Sequence, residues 1–575
     1  MKRILISLFS VMFCCTLFAA DLNPFAYDLS VVSYDAENFK VTLQYSLNAP
    51  ASSVKIYAKD GTGTSYLLKE FGSRSATTYT VEIDLMDAMV NKGVPAGEDL
   101  SWYIDVARAA RTVNAETCGR KINFRSPFSI DIDNNPNSPY FGRIVTTQAN
   151  SNETRGVRAY KPNFTQIGSN YIGSIVSFPS GNWYNNTHLT PFRIRVLQDG
   201  TGKIFVSSAD VGQSTYMWQV DPANLNNWSV FLTSNEMKEK TGHPEEDDTM
   251  ANHNFDFRKK SNGEWELLLL SSSVNSKSTN CSSGYSYCGV YALGSDLSKK
   301  NYTQYIENKE GAPHEYIDDW FVASVLTGNA QFDPNGNILY SSYQQSKRPE
   351  ESALIHQQRS NNAFATEYNA FERLKRKNTS NGGIRYSADF SKLAVGCGND
   401  AKEVSICNAS HSNGYLTISS LNEVDMITSS HNGAYIVDFA WDYASNLYAC
   451  VRNSDDSAVR GVWVIACNLN GEAVSTPARD KFSIPCDPDK DCAVTCTATT
   501  GGRIVNGFSG GTQKACTEMT VKAEPVDNNY KFDKWTDQSG KTVSTNAIYT
   551  FRVVADMQLT AHFSGAVFNV TWWNL

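Results

Sequence analysis

The chain has 575 residues, 41% of them apolar and 12% aromatic, which suits more than one packed core and excludes pervasive disorder. Its 51 Lys and Arg against 59 Asp and Glu give a formal charge of −8. An acidic chain without a long basic run is a poor binder of nucleic acid, whose phosphates need clustered Lys and Arg, and the short run Arg373–Lys377 reads as a solvated loop.

Residues 1–20 read as a secretion signal. Lys2 and Arg3 precede the apolar stretch from Ile4 to Phe18, and Ala19 and Ala20 offer small residues for cleavage before Asp21. Cleavage there removes two positive charges and no acids, so −8 becomes −10. Val-Met-Phe before Cys14 lacks the small residue that a lipoprotein box places next to its cysteine. No later stretch is long and apolar enough to span a bilayer, so the expectation is an exported protein at the cell surface, in the periplasm or outside the cell.

Residues 21–112 form a first unit. Phe39–Leu47, Ser52–Asp60, Thr77–Leu85 and Leu100–Arg108 alternate polar and apolar residues, as strands with one buried face do. Asn48 to Pro50 and Pro95 to Gly97 supply turns. With Asn23–Val31 and Gly61–Phe71, this segment resembles the immunoglobulin-like β-sandwich modules of larger extracellular bacterial proteins.

Residues 125–482 carry a strand pattern that returns six times: Gly142–Thr147, Gly202–Ser208, Glu264–Ser272, Gly336–Ser342, Ser391–Gly396 and Ser445–Cys450. Second apolar strands follow several copies, among them Arg155–Tyr160, Tyr216–Val220, Gly289–Leu293 and Gly461–Ala466. One copy cannot bury both of its faces, so neighbours must stack. Taking Val145, Phe205, Leu268, Leu339, Ala394 and Tyr448 as equivalent gives spacings of 54 to 71 residues. That exceeds a minimal propeller blade and leaves room for long loops, whereas a β-helix needs shorter rungs. The region resembles secreted bacterial propellers of the NHL and WD-like kind, which implies a six- or seven-bladed β-propeller and specifies no ligand.

Residues 490–564 contain Gly501–Gly502, Met519–Pro525, Tyr530–Asp537 and Tyr549–Phe563, with Tyr530, Phe532 and Trp535 as bulky apolar groups for a small sheet core. This segment resembles the internalin B-repeat family. The resemblance implies a surface-exposed spacer or adhesion module; the cysteines at 492, 496 and 516 depart from the family pattern. Residues 565–575 are a tail or a partial strand. The fold class expected is therefore mainly β, with an N-terminal immunoglobulin-like β-sandwich, a central β-propeller and a small C-terminal β domain.

Eleven of 13 cysteines survive signal removal, and export permits disulfides. Cys281/Cys288, Cys397/Cys407 and Cys450/Cys467 are expected as local pairs. Cys486, Cys492, Cys496 and Cys516 cluster at the next boundary and are also expected in disulfides, with Cys118 distant; the odd total leaves at least one cysteine unpaired or intermolecular. No Cys/His set completes a four-ligand zinc pattern.

Three groups of residues are candidates for chemistry. The acidic stretch His243–Phe257 offers Glu245, Asp247, Asp248 and Asp256. It reads as a hydrated loop, as hard oxygen ligands for calcium, or as an acid and base for hydrolysis, and it lacks the ordered spacing of a calcium loop. The stretch His314–Phe321 sets His314, Glu315, Asp318 and Asp319 beside Trp320, as a sugar platform or a blade-capping turn would. Trp183, Tyr184, Trp218, Trp228 and Trp441 could stack on pyranose rings or brace the sheets from inside. No nucleophile elbow, phosphate loop, dinucleotide fingerprint or zinc helix occurs. The expected function is non-enzymatic recognition of a glycan or a surface protein. A polysaccharide hydrolase or lyase and a purely architectural spacer are the alternatives.

Overall fold

The computed structural model describes residues 22–565 apart from 36–37, 97–98, 112–117, 124–126, 149–155, 169–190, 209–214, 242–248, 275–285, 309–328, 342–353, 361–362, 370–380, 398–402, 413, 426–434, 453–458, 468–469, 485–489, 506–507, 509 and 516. The described residues are mainly β, arranged in many separate sheets. Their helices are the short segments Leu85–Lys92 and Ser234–Thr241. No helix among them is long and apolar enough to cross a membrane.

The chain divides into two compact units. One comprises Met1–Tyr27, Leu47–Ser52 and Ala107–Val474; the other comprises Asp28–Ser46, Ser53–Val106 and Ser475–Leu575.

Six consecutive antiparallel sheets build the first unit. Their first strands are Pro127–Ile132, Ile194–Val196, Thr249–Lys259, Asn329–Phe332, Asn381–Tyr386 and Tyr435–Trp441. The six repeat copies all fall on the second strands: Ile144–Gln148, Ile204–Ser207, Trp265–Val274, Ile338–Ser341, Lys392–Cys397 and Asn446–Arg452. Val145, Phe205, Leu268, Leu339, Ala394 and Tyr448 are all buried. A second strand is paired on both edges and covered on both faces, so it reads as a continuous apolar run and dominates the repeat.

Short turns join first to second strands in the second to sixth sheets, and residues 133–143 make a longer connection in the first. Asp133, Asp199, Asp333, Asp389 and Asp442 each accept the backbone N–H two residues on, at 2.8 to 3.2 Å, and so hold the turn from inside. Asp333 and Asp442 also accept the N–H four residues on, at 2.8 Å in both cases.

The sixth sheet takes its last strand from another part of the chain. Cys118–Ile122, which precedes the first sheet in sequence, pairs antiparallel with Gly461–Ala466, with Ile122 opposite Val462 and Gly119 opposite Val464. First strands also touch across sheets: the first sheet's contacts those of the second and sixth, and the fourth sheet's contacts those of the third and fifth. Asn23 and Asn446 exchange two hydrogen bonds, of 2.8 and 3.0 Å, which pin residue 23 to the sixth sheet.

In the second unit, Ser53–Lys59 and Asp99–Ala107 bury alternate residues (Val54, Ile56 and Ala58; Leu100, Trp102, Ile104 and Val106). Their sheet is extended by Val474–Pro477 and Phe482–Ser483, contributed from beyond the six-sheet region. The helix Leu85–Lys92 is capped at both ends. Asp84 accepts the Asp87 N–H at 2.9 Å, and Gly93 closes the helix in the left-handed region at φ 71°. The same unit holds the C-terminal β domain, packed around Trp535, Val494, Val521, Leu559 and Ala561, with Asp491–Ala498 parallel to Met557–Gly565. Lys541 bonds Asp87 at 2.8 Å, and Val90 of the helix packs on that core.

The expected disulfides are corrected by this structure. Cys288, Cys450, Cys492 and Cys496 carry free, buried thiols. Strand register explains why local pairs do not close. Cys450 stands opposite Val462, five residues short of Cys467, and Cys407 stands opposite Leu393, four residues short of Cys397. At roughly 3.3 Å per residue these offsets far exceed the 4.4–6.8 Å between Cα atoms that a disulfide tolerates. Cys492 and Cys496 lie four apart on one strand, facing the same core. Cys281, Cys486 and Cys516 lie outside the described residues.

Candidate functional site

The first strands of the six-sheet unit do not follow the all-apolar pattern of the second strands. They alternate. Ser129 and Asp131, Asn254 and Asp256, Asn329 and Gln331, and Gly383 and Arg385 occupy every other position, with Ile130, Phe255, Ala330 and Ile384 between them as buried apolar residues. Period-two alternation sends the polar set to one face of each strand, and these faces converge.

The convergent residues form two layers. In the deep layer the Arg195 guanidinium donates to Asp438 Oδ2 at 2.9 Å, to Asp438 Oδ1 at 3.4 Å, to Ser129 Oγ at 3.2 Å and to Asn254 Oδ1 at 3.3 Å. Asn254 donates to Asn329, which donates to Asp438 Oδ1 at 3.4 Å. Arg193 donates to the carbonyls of Phe128 and Val437 at 2.8 and 2.7 Å, and its guanidinium lies 3.8 Å from Asp438. All these side chains are buried. Burial alone would raise the Asp438 carboxyl, but Arg195 and Arg193 outweigh it and hold the group at about 2. Burial pulls Arg193 down to about 10 against the attraction of Asp438.

Above this layer lies a cavity of about 810 Å³, bounded by the ends of the first strands and by the turns that follow them. At its centre the Arg385 guanidinium reaches Asp131 Oδ1 at 3.2 Å and Asp256 Oδ1 at 3.7 Å. The second oxygen of each acid accepts a backbone N–H, from Val196 at 2.8 Å and from Phe332 at 2.9 Å. Burial raises the Asp256 carboxyl above its ordinary value, against the pull of Arg385. The Trp441 indole N–H donates to the Arg385 carbonyl at 3.0 Å, fixing an aromatic wall beside the guanidinium. Phe257, Phe332, Tyr386 and Phe390 add apolar surface. Arg258 and Lys260 stand at the rim, with Glu266 and Glu264 as their counter-charges. The lining is therefore mainly polar and charged, with five aromatic side chains set among those groups.

Of the residues singled out from sequence, Asp256 and Trp441 line this cavity. Trp183, Tyr184, Glu245, Asp247, Asp248, His314, Glu315, Asp318, Asp319 and Trp320 lie outside the described residues. Trp218 is buried in a core shared by the first two sheets. Among the described residues no group of three or more His, Cys, Asp or Glu could hold a metal ion. Sequence reasoning passed over Asp131, Gln331 and Arg385. Their signal is the polar–apolar alternation upstream of the repeat copies, which is weaker than the apolar run that follows it.

Residues 492–566 match the divergent InlB B-repeat domain family. The chain thus carries a C-terminal InlB-like repeat domain, and the match covers that domain alone. No curated protein matches this chain. Among solved structures, the chain is similar to a structural-genomics protein of unknown function from Bacteroides thetaiotaomicron, at 10% identity and a TM-score of 0.35, over 76% of this chain and 98% of that one. It is similar to a gluconolactonase from Xanthomonas campestris at 9% identity and a TM-score of 0.35, over 65% of this chain and 98% of that one. It is also similar to a periplasmic gluconolactonase from Pseudomonas aeruginosa at 10% identity and a TM-score of 0.30, over 76% and 99%. Likenesses at these scores say nothing of activity or ligand.

Proposed function

We propose that this is an exported, non-enzymatic recognition protein whose six sheets are the blades of one β-propeller, and that it binds a glycan in the cavity at the ends of the first strands. The secretion-signal pattern of residues 1–20 supports export. Completion of the sixth sheet by Cys118–Ile122 supports radial closure, because it ties the last blade to the residues before the first. Alternating Val54, Ile56 and Ala58 and Leu100, Trp102 and Ile104 support the immunoglobulin-like reading of the N-terminal strands, and the InlB-like domain supports a surface role.

The single observation that carries the reading is the cavity: Arg385 between Asp131 and Asp256 on an aromatic wall. Each acid gives one oxygen to a backbone N–H and turns the other toward Arg385. Carboxylates held in this way act as fixed acceptors for hydroxyl groups. A hydrolase needs an acid and a base free to exchange protons with the substrate. One observation favours that second reading, the raised Asp256 carboxyl. Both are tested by presenting the mature chain with glycans and surface polymers while recording binding and released reducing ends. Binding without product that weakens in Arg385→Lys, with far-UV circular dichroism unchanged, supports recognition. Reducing ends that vanish in Asp256→Asn move the protein to the hydrolases.

A further inference from the structure

We infer that the cavity takes the terminus of a neutral sugar chain and excludes a chain running through it; this rests on the glycan reading above. The floor carries the first half of the inference. Ser129, Arg195, Asn254, Asn329 and Asp438 come from five different first strands and bond to one another beneath the cavity. Each is 1% exposed or less. The remaining first strand contributes Gly383, at φ +96°, where a Cβ would lie 2.8 Å from Asn329 Nδ2. The glycine leaves room for Asn329 to complete the plug. A polymer cannot thread a site whose floor is a packed network of charge-assisted hydrogen bonds. An end can enter it.

The wall carries the second half. Two amides have their orientation set by backbone partners. Tyr386 N–H donates to Gln331 Oε1 at 3.2 Å, which leaves Nε2 as a donor with no partner, on a side chain 3% exposed. Asn134 Nδ2 donates to the Trp441 carbonyl at 2.7 Å, which leaves Oδ1 as an acceptor with no partner. Both residues line the cavity. A buried, unpaired polar atom is costly, and a ligand that supplies its partner recovers that cost.

One unpaired donor and one unpaired acceptor among the lining residues suit a ligand whose groups can both accept and donate. A hydroxyl does both. An anionic ligand would meet Asp131 and Asp256, and a cationic one would meet Arg385. Rim Arg258 lies beside Glu266, Lys260 lies beside a Glu264 shared with Lys300, and the lining residues Lys259 and Asp333 are opposite in sign, so the rim favours neither anions nor cations strongly. A neutral polyol with an apolar ring face for Trp441 and Phe257 satisfies every group named. A volume of about 810 Å³ lies in the range of small-molecule sites, so it takes the end of a chain and not its length.

The test is an array of neutral oligosaccharides held by their reducing ends, each with a copy from which the terminal residue has been removed to expose a different sugar. Acidic oligosaccharides complete the panel. The mature full-length chain should bind members of the neutral set and lose about tenfold or more in affinity on the trimmed copies, with the free terminal monosaccharide competing. Gln331→Leu and, separately, Asn134→Leu should each weaken binding about tenfold with unchanged circular dichroism. Equal binding to intact and trimmed copies, or preference for acidic chains, overturns the inference and leaves the glycan reading standing. No binding to any glycan overturns the glycan reading itself.

Discussion

Replacing Asp438 with Ala removes a carboxylate that faces both Arg193 and Arg195. Its oxygens accept Arg195 at 2.9 and 3.4 Å and Asn329 at 3.4 Å, they accept the Ser129 hydroxyl, and Arg193 lies 3.8 Å away. In the variant two guanidinium groups, at most 2% exposed, lose the carboxylate they share. Breaking a buried pair from one side costs about 3–5 kcal/mol, because the stranded cations keep their desolvation penalty. At about 2 °C per kcal/mol for a domain of this size, the melting temperature should fall by roughly 6–10 °C. Chemical unfolding followed by tryptophan fluorescence and far-UV circular dichroism reads the loss directly. Adding Arg195→Met to Asp438→Ala should restore about 1 kcal/mol or more, since it removes one stranded charge. The acid limb gives an independent reading. Asp438 is held at about 2, below its unfolded value, so its contribution is full above pH ~4 and is lost as pH falls through 2. That contribution is on the order of 2 kcal/mol and should be missing from the acid limb of Asp438→Ala. An Asp438→Ala protein within 1 kcal/mol of wild type, with the same acid limb, refutes the reasoning.

Burial raises Asp133 and Asp442 to about 6, so each binds its proton more tightly folded than unfolded. Their contribution is fully present below pH ~4 and is withdrawn as pH rises through 6. The unfolding midpoint of Asp442→Asn should therefore change less between pH 4 and 7 than that of wild type, and parallel curves would falsify this assignment. Gly501 sits at φ +95° with its Cβ direction filled by the Tyr530 ring, so Gly501→Ala should destabilise the C-terminal domain by about 1–3 kcal/mol. Unfolding monitored by Trp535, buried in that core, measures the effect; an unshifted midpoint is the contrary result. Alkylation under denaturing, non-reducing conditions followed by peptide mass spectrometry should label Cys288, Cys450, Cys492 and Cys496. Recovery of any of these four in a disulfide contradicts the structure.

By itself the sequence determined the β character and the sixfold repeat. Strands buried on both faces must be apolar throughout, and Ile204–Ser207 or Asn446–Arg452 announce themselves without any partner in view. It likewise marked the InlB-like domain, whose core aromatics lie within one short segment. Pairing and convergence were decided only in the tertiary structure. Nothing local to Cys118–Ile122 says that it closes a sheet more than 300 residues away, or that Val474–Pro477 joins the strand Asp99–Ala107. Cysteine spacing suggested disulfides because it counts residues along the chain, whereas strand register sets Cys450 opposite Val462 and away from Cys467. The cavity was the least legible feature. Asp131, Asp256, Gln331 and Arg385 come from four strands separated by long stretches of sequence, and each alone looks like one more polar residue on the open face of an alternating strand. They become a site because antiparallel pairing fixes which face each side chain takes, and packing of the first strands brings those faces together.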